Sequence, residues 1–132
     1  ALDNVSRRFP NSPYAADAAK KSAVAKDHLA AKEMEVGRYY SNKGAYLAGI
    51  NRYKKVITDY QTTDQVPEAL FRLAEAYMAL GVKSEAQTAA AVLGHNYPNS
   101  EWYKDAYQLV STDGQAPVAN SGSWISRAFN MF

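Results

Sequence analysis

One short phrase, an aromatic residue followed by a triplet that ends one helix and caps the next, returns along the chain. Residues 9–12 read Phe-Pro-Asn-Ser and residues 97–100 read Tyr-Pro-Asn-Ser, and residues 60–63 give a degenerate copy, Tyr-Gln-Thr-Thr, without the proline. Proline cannot continue a helix, and Ser, Asn or Thr can accept a hydrogen bond from the unpaired amides of a new helix. Each copy therefore predicts a helix end and a helix start. A recurring stop of this kind is typical of stacked helical repeats.

Two of the repeats align without gaps. When Gly44 is placed on Gly81, the apolar and small residues of the two units coincide. The aligned pairs are Val36 with Leu73, Gly37 with Ala74, Tyr40 with Tyr77, Gly49 with Ala86, and Tyr53 with Ala90. Because apolar residues at helical spacing stand on both sides of each glycine, each unit is predicted to be a helical hairpin with a glycine turn.

The segment from Pro13 to Asn42 contains no further proline and a single glycine, Gly37. It is predicted to form one helix of about 30 residues, about 45 Å long at 1.5 Å per residue. A helix of that length joins two layers of the stack. The predicted units are the end of an upstream repeat at 1–10, the long helix and its hairpin at 13–60, a second hairpin at 66–98, a terminal helix at 99–110 and a flexible tail with a short amphipathic end at 111–132.

The second hairpin resembles the tetratricopeptide repeat. The residues that carry the resemblance are Leu73, Ala74, Tyr77, Gly81, Ala86, Leu93 and Pro98. The first unit departs from the pattern at Gln61, where proline is expected, and the second at Ala90, where an aromatic residue is usual. The resemblance implies an all-α fold of tetratricopeptide-type hairpins, stacked as a right-handed superhelix in which the long helix joins two layers.

Residues 1–110 are also similar to the C-terminal repeats of one tetratricopeptide family, the BamD lipoproteins of the outer-membrane β-barrel assembly machinery. The shared phrases are Asp-His-Leu-Ala at 27–30, Tyr-Tyr at 39–40, Lys-Gly-Ala-Tyr at 43–46, Asn-Arg at 51–52 and Asp-Tyr at 59–60. They imply a noncatalytic scaffold at the periplasmic face of the outer membrane, lipid-anchored in the full-length protein. The implied partners are a POTRA-bearing barrel assembly protein, other assembly lipoproteins and unfolded outer-membrane protein segments. The alternative is another periplasmic tetratricopeptide adaptor, of the cell-envelope or Tol-Pal coordination type, that binds peptides in its inner groove.

Four residues are candidates for a surface that contacts a partner, here called the docking edge: Tyr39, Lys43, Tyr46 and Arg52. Tyr39 lies about 100° around the helix from Tyr40, which takes the core position of the repeat, so Tyr39 can face outwards. Lys43 follows on the same face at i+4. Composition alone favours an ordinary solvated face around Arg52. The family resemblance implies instead that Arg52 contacts the barrel-forming partner, where an arginine can pair bidentately with a carboxylate.

A second candidate surface is the inner groove, lined by the first helices of successive hairpins. Its predicted members are Met34, Arg38, Phe71, Glu75 and Met78. This amphipathic set suits an extended peptide or a helix as the ligand. Phe71 and Met78 are equally open to another interpretation, in which the neighbouring layer or the tail covers them.

The tail ends in an apolar stripe. Trp124, Ile125, Ala128, Phe129 and Phe132 stand at helical spacing after a segment rich in small and polar residues. A stripe of this kind is not expected to stay in water. It can cap the last repeat, dock on a partner or touch a membrane. Capping or docking through the Trp124 and Phe129 side chains is favoured, because Arg127 is the only basic residue of the segment.

The sequence offers no candidate for catalysis, for a metal site or for a cofactor. It has no Cys, no glycine-rich phosphate loop and no nucleophile elbow. Its two histidines, His28 and His95, lack a His or carboxylate partner four residues away of the kind that a helical metal site uses. The net charge of +2 is too small to indicate nucleic acid as a partner. The first residues do not resemble a secretory signal, so the compartment is implied by the family resemblance alone.

Overall fold

The computed structural model describes residues 13–111 and 114–130, and within these ranges every regular element is a helix. The helices are α1 (Pro13–Asn42), α2 (Tyr46–Asp59), α3 (Val66–Leu80), α4 (Lys83–Asn96), α5 (Glu101–Val110) and α6 (Trp124–Ala128). The all-α fold class is confirmed. The first helix has 30 residues, the length expected from its sequence. The upstream helix predicted at 1–10 lies outside the described residues.

The two hairpins, α1–α2 and α3–α4, turn in the same way. Gly44 and Gly81 both have a φ of +80°, a conformation that glycine adopts without steric cost. In each turn the amide after the glycine donates to the carbonyl five residues before it, at 2.9 Å in both cases: Ala45 to Tyr40 and Val82 to Tyr77. The two turns are therefore equivalent, in the register that the sequence alignment predicts.

Successive helices build one core. α1 packs on α2, α2 on α3, α3 on α4, and α5 on both α3 and α4. Fully buried large side chains include Met34, Tyr53, Ile57, Leu70, Leu73 and Leu93. The equivalent aromatic residues Tyr40 and Tyr77 are both partly buried. The right-handed sense of the stack stays a prediction. Among the described helices, none combines the length and the apolar character that a bilayer crossing requires.

One predicted groove residue belongs to the core. Met34 has no exposed surface, so the expectation that it lines the inner groove is wrong. The physical reason is the position of α1, which packs against α3 as well as α2. Its buried stripe is therefore wider than the repeat position alone indicates.

The helices α1 and α2 approach each other closely at Gly37. A Cβ atom at this position would lie 2.5 Å from Cε1 of Tyr53. The Tyr53 ring is fully buried, and its hydroxyl forms a 2.8 Å hydrogen bond with the Ser41 hydroxyl. Because Gly37 has no side chain, the Tyr53 ring can pack directly against α1, where its hydroxyl bonds to Ser41.

The tail folds back over α4. The amide of Asn120 donates to Oγ1 of Thr88 at 3.0 Å, and the hydroxyl of Ser123 donates to Glu85 at 2.9 Å. Ile125 of α6 is fully buried. This arrangement differs from the flexible connection predicted before α6, because small polar residues that favour turns can also bond to a neighbouring helix.

Candidate functional site

A cavity of about 510 Å³ opens between the α1–α2 turn, α3 and α5. Its walls contain three of the predicted groove residues, Arg38, Glu75 and Met78. They also contain Tyr46 of the docking edge, and Leu109 of α5 adds to the apolar part of the lining. One residue of the docking edge therefore lies in the same cavity as three of the predicted groove residues.

Four charged side chains form a continuous series of ion pairs beside this cavity. Arg38 of α1 donates through Nη1 to both carboxylate oxygens of Glu68 on α3, at 3.1 and 3.0 Å. Arg72 then bonds to Glu68 at 3.2 Å and to Glu75 at 2.8 Å. The Glu68 side chain is only 15% exposed, so solvent screens its pairs less than it screens a fully exposed pair. The series ties α1 to α3 at the cavity.

Arg72 lies beside two aromatic rings and pairs with two carboxylates. Its guanidinium carbon lies 5.4 Å from the ring centroid of Phe71 and 5.5 Å from that of Trp102. Burial acts to lower the pKa of Arg72, but the hydrogen bonds to Glu75 and Glu68 outweigh it, and the pKa is raised. Arg72 therefore supplies a fixed positive charge in the cavity wall.

Helix α5 covers part of Phe71. Its ring centroid lies 5.4 Å from that of Trp102 on α5, and Phe71 packs against the core. The sequence allows Phe71 either to line the groove or to be covered by a neighbouring part of the chain. In the structure, Trp102 of α5 packs on it. Met78, by contrast, lines the cavity.

The four residues of the docking edge have different neighbours in the structure. Lys43 Nζ lies 5.0 Å from the ring centroid of Tyr39, whose residue is 55% exposed. Tyr46 faces the cavity instead. Arg52 pairs with Glu33, which lies about 9 Å along α1 from Tyr39 at 1.5 Å per residue. Along the axis of α1, Tyr39 and the partner of Arg52 are thus separated by about two turns.

Glu33 receives two cations from α2. Nη1 of Arg52 lies 3.2 Å from one carboxylate oxygen, and Nζ of Lys55 lies 3.9 Å from the other. The Glu33 side chain is 17% exposed, whereas that of Arg52 is 42% exposed. The Arg52 side chain is therefore fixed by a largely buried carboxylate while it stays partly exposed to solvent.

Glu33 was not identified from the sequence as the partner of Arg52. Nor was Glu68 identified as the partner of Arg38 and Arg72. The i, i+4 spacing of Glu68 and Arg72 is a signal that could have found one ion pair. No spacing signal exists for Glu33 with Arg52, or for Arg38 with Glu68, because each of these pairs joins two different helices.

Trp124 and Phe129 contact the chain's own helices. Nε1 of Trp124 donates to the Tyr77 hydroxyl at 3.1 Å, and Nζ of Lys54 lies 4.9 Å from the Trp124 ring centroid. Burial raises the pKa of Tyr77, which keeps its hydroxyl protonated. Phe129 packs against the core. The sequence leaves three possibilities for the tail: capping the last repeat, docking on a partner or touching a membrane. In the structure, Trp124 and Phe129 pack on the chain's own helices.

The two histidines stand apart from the 510 Å³ cavity. His28 is exposed on α1 and lines a smaller cavity of about 320 Å³ beside the α2–α3 loop. His95 lies in the last turn of α4, where a positive charge is favourable. In the described part of the chain, no three His, Asp or Glu side chains stand close enough to hold a metal ion.

Comparison with known proteins confirms the family resemblance. The model of the YfiO family, described as outer membrane lipoproteins, matches residues 1–93. The chain belongs to this family. Proteins named outer membrane protein assembly factor BamD are similar to it over most of its length. The one from Caulobacter vibrioides is 50% identical over 118 residues, which are 89% of this chain and 39% of the relative.

Two further relatives carry the same name. The protein from Rickettsia prowazekii is 50% identical over 110 residues, 83% of this chain and 44% of the relative. The protein from Neisseria meningitidis serogroup A is 43% identical over 108 residues, 82% of this chain and 40% of the relative. The chain therefore spans about two-fifths of the length of these relatives.

Proposed function

We propose that this chain is part of an outer-membrane protein assembly factor and serves as its noncatalytic docking scaffold. Membership in the outer-membrane lipoprotein family and the names of its relatives support a role in assembly. The scaffold docks a POTRA domain of the barrel-forming partner, with other assembly lipoproteins and unfolded outer-membrane protein segments as further partners. The full-length protein is lipid-anchored, and this segment works at the periplasmic face of the outer membrane.

The observation that carries the proposal is the partly exposed ion pair of Arg52. The pair uses Nη1, and 42% of the Arg52 side chain is exposed. A partner carboxylate that approaches from solvent meets a guanidinium already oriented by Glu33, so less side-chain entropy is lost on binding. Lys55, which also lies beside Glu33, adds positive charge that attracts an acidic surface.

Arg52→Glu tests this contact. We expect the affinity for the POTRA-bearing partner to fall at least tenfold, about 1.4 kcal/mol, at both low and physiological salt. The substitution replaces attraction by repulsion at the contact. The circular dichroism spectrum should stay helical, because a surface ion pair contributes about 1 kcal/mol or less to stability. A variant that binds as tightly as the wild type contradicts the assigned contact.

Two matched variants separate the partner contact from the internal ion pair. Glu33→Gln removes the internal partner and keeps the arginine, so we expect it to retain most of the affinity. Lys55→Glu reverses a charge beside the same carboxylate and should lose less affinity than Arg52→Glu. Equal losses for Arg52→Glu and Lys55→Glu would assign the effect to the general charge of this face and not to Arg52.

A second candidate function is peptide binding in the 510 Å³ cavity. The observation that favours it is a lining with apolar contacts from Tyr46, Met78 and Leu109, together with positive charges from Arg38 and Arg72 and a negative charge from Glu75. Such a lining suits a short amphipathic peptide of an assembly partner.

Peptide-array binding distinguishes the two candidates. Tyr46→Ala and Glu75→Lys should abolish binding of peptides in the cavity, whereas Arg52→Glu should leave it unchanged. If peptides bind equally well to both cavity variants, the cavity is not their site. The docking scaffold through Arg52 then remains the function to test.

A further inference from the structure

We propose that residues 114–130, here called the strap, lock the angle between the α1–α2 and α3–α4 hairpins and thereby set the width of the 510 Å³ cavity. In stacked repeats each layer normally touches only its neighbours, so one interface sets the angle between two layers. The strap adds a second tie between the same two hairpins. It lies beyond the residues 1–93 that the family model matches.

The strap holds the first hairpin at two points. Nζ of Lys54 on α2 lies 4.9 Å from the centroid of the Trp124 ring. The side-chain amide of Gln61, in the loop after α2, donates to the carbonyl oxygen of Ala128 at 2.8 Å. The end of the strap is therefore attached to the α2 side of the stack.

The strap holds the second hairpin at three points. Nε1 of Trp124 donates to the hydroxyl of Tyr77 on α3 at 3.1 Å. On α4, Thr88 accepts from the Asn120 amide and Glu85 accepts from the Ser123 hydroxyl. Trp124 thus lies between a cation of one hairpin and a hydroxyl of the other.

The strap is packed as part of the core. Ile125 is fully buried, and Ser123 and Ser126 are 5% and 1% exposed. Their hydroxyl groups are paired, since Ser123 accepts from the Ile125 amide and Ser126 donates to the carbonyl of Asn120 at 2.7 Å. A segment with buried and satisfied polar groups can transmit force between the helices that it joins.

Helix α3 separates the strap from the cavity. At 100° per residue, the α3 residues that line the cavity all lie at least 100° around the helix from Tyr77; they are Arg72, Glu75, Ala76, Met78 and Ala79. The first hairpin supplies other parts of the lining, including Arg38 and Tyr46. A change in the angle between the hairpins would therefore widen or narrow the cavity, and the strap resists that change from the opposite side of α3.

Pulsed electron paramagnetic resonance on the whole chain tests the proposal. The sequence has no Cys, so Leu47→Cys on α2 and Gln108→Cys on α5, both exposed positions, accept spin labels at two defined sites. We expect Trp124→Ala to widen the distribution of label distances at least twofold. We also expect hydrogen exchange of α2 amides to become at least tenfold faster. An unchanged distance distribution, with faster exchange confined to 114–130, overturns the proposal.

Two variants control the experiment. Val118→Ala changes a strap residue that is 70% exposed, and it should leave both readouts at the wild-type values. Gln61→Ala removes the bond to Ala128 from an exposed position, and it should widen the distance distribution by a smaller amount while the fold is kept. If Trp124→Ala fails to fold, an unchanged distribution in Gln61→Ala overturns the proposal by itself.

Discussion

The first and second hairpins share a turn but fill their interiors differently. In the first hairpin, Tyr53 of α2 places a fully buried ring against Gly37 of α1. The equivalent pair in the second hairpin is Ala90 and Ala74, and both are fully buried. One hairpin packs a large residue against no side chain, and the other packs two small ones. Both arrangements allow the two helices to approach closely, because neither sets two large side chains against each other, but the second pair fills less space.

Later segments of the chain supply the bulk that the second hairpin lacks. Helix α4 buries Ala86, Ala89 and Ala90, and both α5 and α6 pack on it. The ring of Tyr103 on α5 occupies the space beside Gly94 that a side chain there would need. The first hairpin carries its own aromatic filler, whereas the second is completed by the residues that follow it.

The largest effect is expected for Tyr53→Ala, which removes the filler of the first hairpin. Loss of a fully buried aromatic side chain should lower the free energy of unfolding by about 3–5 kcal/mol. Urea denaturation followed by circular dichroism measures it. Tyr39→Ala, at a residue that is 55% exposed, is the control and should change stability by about 0.5 kcal/mol or less. A cost below about 1 kcal/mol for Tyr53→Ala contradicts the role assigned to the ring.

A smaller effect is expected for Gly37→Ala. The new Cβ atom would lie 2.5 Å from a Tyr53 ring atom, and overpacking of this kind should cost about 2 kcal/mol. In a Tyr53→Ala background the pair becomes Ala with Ala, as in the second hairpin, and the added cost of Gly37→Ala should fall close to zero. A double-mutant cycle measures this coupling. If the two losses of unfolding free energy are simply additive, the Tyr53 ring is not the reason why position 37 requires glycine.

Gly44→Ala and Gly81→Ala should each lower the free energy of unfolding by about 1 kcal/mol, and the two losses should be equal. Nothing lies within 4 Å of a Cβ atom added at either position, so the cost comes only from the positive φ. Urea denaturation of both variants measures these losses. It tests the feature that the two hairpins share, which is the glycine turn. Clearly unequal costs would mean that the turns are not equivalent.

The smallest effect is expected from alkaline pH. Burial raises the pKa of Tyr53 in the first hairpin and of Tyr77 in the second. The unfolded chain then loses these protons near pH 10 while the folded chain keeps them, so stability falls as the pH rises above about 10. Tyr53→Phe and Tyr77→Phe should each flatten this fall in melting temperature between about pH 9 and 11. A steeper fall in either variant contradicts the direction of the shift.

Much of the helical framework could be predicted from local signals. Helix α3 spans Val66–Leu80; it begins where the predicted second hairpin begins and ends at the predicted glycine turn, because helix ends depend on residues within one turn. The candidate site could be predicted only in part. Arg38, Glu75 and Met78 line the cavity as expected from their repeat positions, but Met34 is in the core because α1 is covered by two helices.

The sequence by itself determined the helices and the equivalent turns, because these depend on residues close together in the chain. It also determined the family, because short sequence motifs carry the resemblance. Only the tertiary structure decided which side chains share a surface. The Arg38 to Glu68 pair spans 30 positions, and the Trp124 to Tyr77 bond spans 47. At such separations the packing of whole helices sets the distance between two groups, and no spacing along the chain encodes it.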